Sequence, residues 1–421
     1  MRNRTGFILH LHPPSVPVST LRFSLSFGLG GICVTLLLLL AGSGILLLPI
    51  YAPAAGSAYA SVAGLYGPGK LGGWVRNLHH LSANLLVAAL GLHLLRVLLT
   101  GAFDHPARRN NWLVGLCLLL LGLGANFSGY LLPWDQRAYW AVTVFTGMLG
   151  YLPLAGPQLA DVLRSGTRVG PATLKLFFVL HIVVIPAAIM LLSAWHFWLV
   201  RRAGGLVRAE TEEKKPLRVP VVPHLVAREA AVGLGTAALV MLLAIFFPAP
   251  LGPAANPGLS PNPARAPWYF IGIQELMLHL HPAAAVGAVP LLLLGGLAAL
   301  PWIKEMRLEP GIWLNNIAYR RLLGLAALLC GLLLAAGTTI GDDLWLRPAQ
   351  TGANGILTRG VLPLLLLAGL PAAIRWLPEK WLRIPRPAAG ALLLLAGCGA
   401  VAGLTLVGLF LRGPGMKLIL F

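Results

Sequence analysis

Long apolar runs, separated by short polar or proline- and glycine-rich segments, set the pattern of this chain. Nine such runs, at about 24–48, 74–100, 112–132, 174–200, 226–247, 286–302, 320–340, 358–377 and 388–411, are apolar almost throughout. A helix rises about 1.5 Å per residue, so roughly 20 such residues cross a ~30 Å hydrocarbon layer. The pattern predicts an all-α polytopic membrane protein of about nine transmembrane helices. The first residues are polar and carry Pro13, Pro14 and Pro17. The first run is therefore expected to be a retained, first-inserted helix rather than a cleaved signal peptide.

The segments between the runs divide the chain. A front half, 1–205, holds four spans; a back half, 206–421, holds about five. The polar stretch Arg201–Arg228, with Glu210, Glu212, Glu213, Lys214 and Lys215, reads as an inner-face linker. The loop Leu132–Gly170 mixes Trp, Tyr and Gly with little charge, which suits short helices near a lipid-soluble substrate. The Pro/Asn-rich loop Pro248–Pro267 is long enough to expect a functional role.

Charge changes the picture only in its distribution. A net charge of +19 would suit nucleic acid, but only 11% of residues are charged while 57% are hydrophobic. With the amino terminus inside, roughly two-thirds of the 32 Lys and Arg fall on inner segments and helix ends, the positive-inside bias of a membrane protein. No nucleic-acid partner is expected. Cys33, Cys117, Cys330 and Cys398 are scattered through apolar runs, with no haem-attachment or metal spacing, and are expected to be small buried packing residues.

The candidate chemistry lies in four intramembrane histidines. His79 and His93 are 14 residues apart in one run, and His181 and His196 are 15 apart in another. At about 100° per residue, the first step returns to nearly the same helix face roughly 21 Å further on, and the second drifts by about 60°. Two such helices side by side present an imidazole pair near each membrane face. Each pair can grip an iron from both sides, giving two stacked haems and an electron path across the bilayer. His80 points about 100° away from His79 and is not expected to be a ligand. His10, His12, His105, His224, His279 and His281 lie at ends or loops and are expected to be solvated.

Glycine repeats the interval. Gly30 and Gly44, and likewise Gly115 and Gly129, are 14 apart. A flat macrocycle packed on a helix needs missing side chains where it passes. Arg76 and Arg96 stand three residues before His79 and three after His93, where a guanidinium can take a haem propionate in a two-pronged hydrogen bond.

Three segments carry a resemblance. WVRNLHHLSANLLVAALGLHLLRVLLTGAF (Trp74–Phe103), GYLLPWDQRAYWAV (Gly129–Val142) and TLKLFFVLHIVVIPAAIMLLSAWHFWLVRR (Thr173–Arg202) resemble cytochrome b of the quinol–cytochrome c oxidoreductases. The 15-residue histidine interval and the PWDQ motif are closer to the chloroplast and Gram-positive branch. PNPARAPWYFIGIQEL (Pro261–Leu276) is similar to the start of the family's quinol-site helix, so the two halves, separate in chloroplasts, look fused.

The resemblance implies two non-covalent b haems, one held by His79 and His181 near the outer face, the other by His93 and His196 near the inner face. Gly30, Gly44, Gly115 and Gly129 match its haem-packing glycines, and Arg76 and Arg96 its propionate partners. Tyr130 to Trp140 and Trp268 to Phe270 border the outer quinol-oxidising site, and Arg201 lies near the inner quinone site. A Rieske-type iron–sulfur protein, a cytochrome c subunit, membrane quinone and a homodimer are the implied partners. The implied location is a bacterial inner (cytoplasmic) membrane. The activity implied is quinol oxidation coupled to proton translocation.

Two departures matter. The family's Pro-Glu-Trp-Tyr reads Ala266-Pro267-Trp268-Tyr269 here, so its proton-accepting glutamate is missing. Glu275, two turns beyond Trp268, is the candidate substitute, with a purely structural carboxylate as the alternative; Asp135 is a second acceptor. The altered motif points to a low-potential quinone such as menaquinone. The position matching the branch's covalent haem cysteine is Gly28, with Cys33 more than a turn away. A covalent third haem is therefore not expected, and a non-covalent one stays open. Two other readings keep the paired histidines: a dihaem anchor serving a dehydrogenase or hydrogenase without bifurcation, and a proton-relaying transporter.

Overall fold

The computed structural model describes residues 12–103, 105–207, 216–303, 320–346 and 386–419. Its principal helices, in chain order, are α1 (Leu29–Leu47), α2 (Gly72–Leu99), α3 (Arg109–Tyr130), α4 (Gln136–Leu149), α5 (Gly156–Arg164), α6 (Pro171–Arg202), α7 (Val221–Phe246), α8 (Trp268–His279), α9 (Ala284–Trp302), α10 (Arg320–Gly341) and α11 (Arg386–Phe410). Eight of them are long and apolar enough to cross a membrane: all but α4, α5 and α8. They fall on the predicted runs. The run at 358–377 lies outside the described residues. The loop Leu132–Gly170 carries the short helices α4 and α5.

Large apolar side chains such as Leu38, Ile45, Met190, Leu191, Leu242 and Phe246 remain exposed along the spans. In water that would be a liability; against lipid tails it costs nothing. The same physics corrects one expectation. Cys33 is buried, but Cys117 and Cys330 lie on exposed helix faces, because a thiol facing lipid needs no protein cover.

The described residues fall into two compact units. One draws on Met1–Trp134 and Leu174–Gly252, the other on Asp135–Thr173, Pro253–Arg307 and Leu314–Phe421. In the first, α1 packs on α2, α2 on α3, α3 on α6, and α7 on α1 and α2. Its apolar core gathers Cys33, Leu36, Leu78, Leu86, Ala89, Val240 and Ala244. The strand β1 (Ser15–Pro17) pairs antiparallel with β2 (Arg218–Pro220), Val16 opposite Val219. The segment before the first span thus meets the linker after the fourth, as two segments on one side of a membrane can.

In the second unit α10 and α11 run in backbone contact. Any side chain at Gly331 would strike Ala396, and any at Gly399 would strike Leu328, so both glycines are needed for this approach. The close pair brings Asp342 and Asp343, just after α10, and Arg412, just after α11, beside α8.

Candidate functional site

α6 is not a regular helix. From Leu180 to Val184 it widens into a π turn, with the Ile185 N–H reaching the Leu180 carbonyl. Pro186 follows at once, and proline has no N–H and crowds the carbonyl four residues back. A π turn holds about one residue more than an α turn. The 15-residue step from His181 to His196 therefore rotates nearly as a 14-residue step does, and the drift of about 60° expected for a regular helix is removed. A second π turn, Ala284–Ala288, stands in the same relation to Pro290 in α9.

His79 of α2 and His181 of α6 face each other, ring centroids 6.1 Å apart and planes at 73°. An imidazole nitrogen sits about 2 Å from a bound transition metal, so two rings on one metal have centroids roughly 6 Å apart. Each of the four histidines also meets one of the four glycines singled out by spacing. A Cβ at Gly44 would lie 3.3 Å from His79 Cε1, one at Gly30 3.6 Å from His93 Cε1, one at Gly115 3.7 Å from His196 Cε1, and one at Gly129 only 2.5 Å from His181 Cε1. These missing side chains form the cradle that a flat ring between the helices requires.

The far ring nitrogens are held. His79 Nδ1 lies 2.9 Å from Ser43 Oγ, whose own proton goes to the Leu39 carbonyl at 2.6 Å. His181 Nδ1 lies 3.0 Å from the Ala125 carbonyl and 3.3 Å from Ser128 Oγ. A carbonyl only accepts, so His181 carries its proton on Nδ1; the committed Ser43 hydroxyl asks the same of His79. Both leave Nε2 with a free lone pair, the tautomer a metal needs. Neither serine was legible as a partner in the sequence, although Ser43 adjoins Gly44 and Ser128 adjoins Gly129.

Arg76 is buried, its Nη1 donating to Tyr66 Oη at 2.5 Å and the Ala249 carbonyl at 2.8 Å, its Nη2 to the Pro250 carbonyl at 2.8 Å. Arg96 is buried too; its Nε donates to the Leu25 carbonyl at 2.9 Å, and its Nη2 has no partner among the described residues. A buried guanidinium edge left over in this way suits an anionic group. His80 pairs instead with Asn84, 3.2 Å away. Arg201 ends α6 half-buried, where its charge complements the helix dipole.

In the second unit, aromatic residues gather on α4 and α8. Tyr269 packs against Phe270 at 4.8 Å and Trp268 at 5.6 Å, and Phe270 stacks on Phe145 at 6.1 Å. Trp140 Nε1 donates to the Asn256 carbonyl at 3.3 Å. Gln136 fastens the Pro/Asn-rich loop: its backbone N–H donates to Pro253, its Oε1 accepts from Asn256 N–H at 2.6 Å, and its Nε2 donates to Leu259. That role of the PWDQ glutamine was missed in the sequence. Asp135 is the N-cap of α4, its Oδ1 accepting from Ala138 N–H at 2.9 Å, and it is buried. One carboxylate oxygen of Asp135 is thus engaged by the cap. Tyr130 closes α3 in the first unit.

Residues 84–254 match the family model described as "Cytochrome b(N-terminal)/b6/petB". Cytochrome b6 of Synechococcus elongatus is 37% identical over 176 residues, 42% of this chain and 81% of that protein. Cytochrome b6 of Heliobacterium mobile is 36% identical over 188 residues, 45% of this chain and 88% of that one. The chain belongs to the cytochrome b family. The cytochrome b subunit of a cytochrome bc complex from Chlorobaculum thiosulfatiphilum is 35% identical over 265 residues, 62% of this chain and 61% of its own. A chain of a solved "Hyperthermophilic respiratory Complex III" shares the fold over 91% of this chain and 90% of that one, with a TM-score of 0.64 at 21% identity.

As a cytochrome b, the protein is an integral multi-pass membrane protein and an electron-transfer component of an oxidoreductase, with haem b and a quinone as its redox groups. The opposed imidazoles, the glycine cradle and the spare edge of Arg96 fit such a haem.

Glu275 of this cytochrome b is fully buried. It lies in a cluster that sequence reading did not assemble. Arg412 Nε donates to its two carboxylate oxygens at 3.0 and 3.1 Å, Arg412 Nη2 bonds Oε1, and His279 Nε2 lies 3.1 Å from Oε1. His279 Nδ1 lies 2.6 Å from Asp342 Oδ2, and Arg412 Nη1 pairs with Asp343. His279 is thus enclosed rather than solvated, a correction to the expectation from its place at a helix end. The i, i+4 spacing of Glu275 and His279 was the signal available. Burial pushes the Glu275 carboxyl up, but the His279 and Arg412 hydrogen bonds and the Arg412 charge outweigh it and hold it below the usual carboxylate range. Glu275, His279 and Asp343 lie close enough together to suit a metal, but the Arg412 guanidinium is already the cation among them.

Proposed function

We propose that this chain is the dihaem cytochrome b subunit of a bc-type respiratory complex in a bacterial inner membrane, oxidising quinol at the outer face. The carrying observation is the opposed pair His79 and His181, centroids 6.1 Å apart, together with a facing glycine at each of the four histidines, His93 and His196 included. Haem iron, when bound, supplies one-electron transfer at two levels of the apolar layer. His79 and His181 hold one haem and His93 and His196 the other. Ser43 and the Ala125 carbonyl fix the ligand tautomers at the first. Arg96 and Arg76 receive propionates, Arg96 through its unused Nη2.

Tyr130, Trp140 and Tyr269 border the quinol-oxidising site and orient the ring, Gln136 keeps the loop over α4 in place, and Arg201 serves the inner quinone site. Glu275 takes part in proton handling. The missing motif glutamate favours a low-potential quinone such as menaquinone. A Rieske-type protein and a cytochrome c subunit complete the complex, which works as a homodimer and couples the electron route to proton translocation.

Reduced-minus-oxidised spectra of the purified protein test the core: two b-type signals are expected, one lost on His181→Ala and the other on His93→Ala. Retention of both signals in both variants would end the reading. Quinol–cytochrome c activity sensitive to an outer-site inhibitor separates it from a dihaem anchor, which lacks that activity.

A further inference from the structure

The cluster around His279 has partners for two protonation states of one imidazole. Arg412 donates from Nε to Glu275, from Nη1 to the Met416 carbonyl, and from Nη2 to Glu275 and His279 Nε2, while its Nη1 also pairs with Asp343 as an ion pair. In that arrangement His279 Nε2 accepts, so the ring is neutral and its Nδ1–H donates to Asp342 at 2.6 Å. When Nε2 gains a proton it ceases to accept from Arg412, and Glu275 Oε1, already 3.1 Å away, receives the new N–H. Neither state strands a buried polar atom on the ring. Among the described residues, the charged groups facing it are Glu275 on its own helix, Asp342 and Asp343 beyond α10, and Arg412 beyond α11. Of the described residues, three carboxylates and one guanidinium surround the ring. Exposure is graded: the Glu275 side chain is 0% exposed, that of His279 9% and that of Asp342 19%.

We propose that His279 is the carrier of a proton relay leading from Glu275, deep in the protein, to half-buried Asp342. The proposal rests on the reading that the aromatic start of α8 borders quinol oxidation; Trp268 stands two turns from Glu275 on the same face, about 10 Å along the helix. The O–H bond of the quinol breaks as an O–H bond forms on Glu275, and that bond breaks in turn as an N–H bond forms at His279 Nε2, 3.1 Å from Glu275 Oε1. The Nδ1–H bond then breaks as Asp342 Oδ2 takes that proton and passes it to water. A turn of the ring restores the starting tautomer. The relay moves protons only, while the electrons follow the route of the proposed function. Arg412 is a positioning residue, holding the ring between its two sets of partners.

The test uses the whole complex in membranes, with His279→Gln, which keeps polar contacts but cannot carry the proton, and Asp342→Asn, which removes the exit. Quinol-dependent haem reduction is expected to slow about a hundredfold in His279→Gln and to shift its pH profile in Asp342→Asn. Haem spectra and dithionite reduction stay unchanged in both. Full rates with an unshifted profile in either variant overturn the relay. Infrared difference spectra of the wild type with isotope-labelled histidine provide a readout independent of rate and of either variant's yield. One imidazole must gain and lose a proton transiently as quinol reduces the complex, and no transient change in any imidazole also overturns the relay. A wild-type complex that quinol cannot reduce sinks the proposed function instead. The infrared arm, run then as a pH titration, must show a ring that protonates reversibly, or the relay falls as well.

Discussion

Gly129 lies so close against His181 that a methyl group there would stand 2.5 Å from the ring's Cε1. The ring cannot retreat freely, because its Nδ1 is tied to the Ala125 carbonyl at 3.0 Å. Gly129→Ala therefore forces the imidazole off its axis. Overpacking of this kind costs about 1–3 kcal/mol, and the strain falls on the ligand geometry. The expected outcome is loss of the haem signal assigned to His79 and His181, with the other retained. Gly115→Ala is the control, since its methyl would sit at an ordinary 3.7 Å from His196. Equal haem content in both variants would contradict the cradle.

Ser43 and Ser128 give a graded pair. His79 Nδ1 leans on Ser43 Oγ at 2.9 Å, while His181 Nδ1 has both Ser128 at 3.3 Å and the Ala125 carbonyl at 3.0 Å. Removing an outer partner of a metal-bound histidine costs on the order of 10–100-fold in affinity. Ser43→Ala is expected to lower haem retention and shift that haem's potential, and Ser128→Ala to do little. Redox titration of the two variants checks the order; a larger shift in Ser128→Ala refutes the assignment.

Much of this was legible in the chain because bilayers impose simple periodicities. A run of about 20 apolar residues has one outcome, and the 14-residue step that aligned His79 with His93 also aligned Gly30 with Gly44 and Gly115 with Gly129. The 15-residue step of α6 is different: its extra residue is absorbed by a π turn before Pro186, a local event that counting residues does not reveal. Long-range pairing was the other blind spot. Nothing in the spacing of Glu275, Asp342, Asp343 and Arg412 shows that two glycine-lined helices bring them to one point, so His279 read as a solvated end residue. The cap at Asp135 is a short-range matter, since a carboxylate at the start of a helix accepts from its first N–H groups.

Arg96 offers a test of shape rather than charge. Its Nε is committed to the Leu25 carbonyl, and its Nη2 edge is buried without a partner. Lysine keeps the charge but loses the planar fork. Arg96→Lys is expected to weaken retention of the haem assigned to His93 and His196 and leave the other haem in place. The measure is haem per protein after a salt and detergent wash. Unchanged stoichiometry for both haems would show that no propionate is held there.

The Glu275–Arg412 pair sets a pH dependence whose sign can be worked out. The folded-state pKa of Glu275 lies below its unfolded value, so the unfolded chain binds more protons and stability rises with pH across that interval. The contribution is fully present above the ordinary carboxylate range and is lost as pH falls through the lowered pKa. Thermal unfolding of the wild type is therefore expected to weaken steeply on acidification, and that of Glu275→Gln less so, because its amide does not titrate. Near neutral pH, Arg412→Leu leaves the buried carboxylates without their cation, at a cost of about 3–5 kcal/mol. Glu275→Gln in the same chain removes one of those carboxylates, so the double variant is expected to recover part of the loss. A double-mutant cycle on unfolding midpoints reads the coupling directly. Additive losses, with no recovery, would mean that the two side chains do not depend on one another for stability.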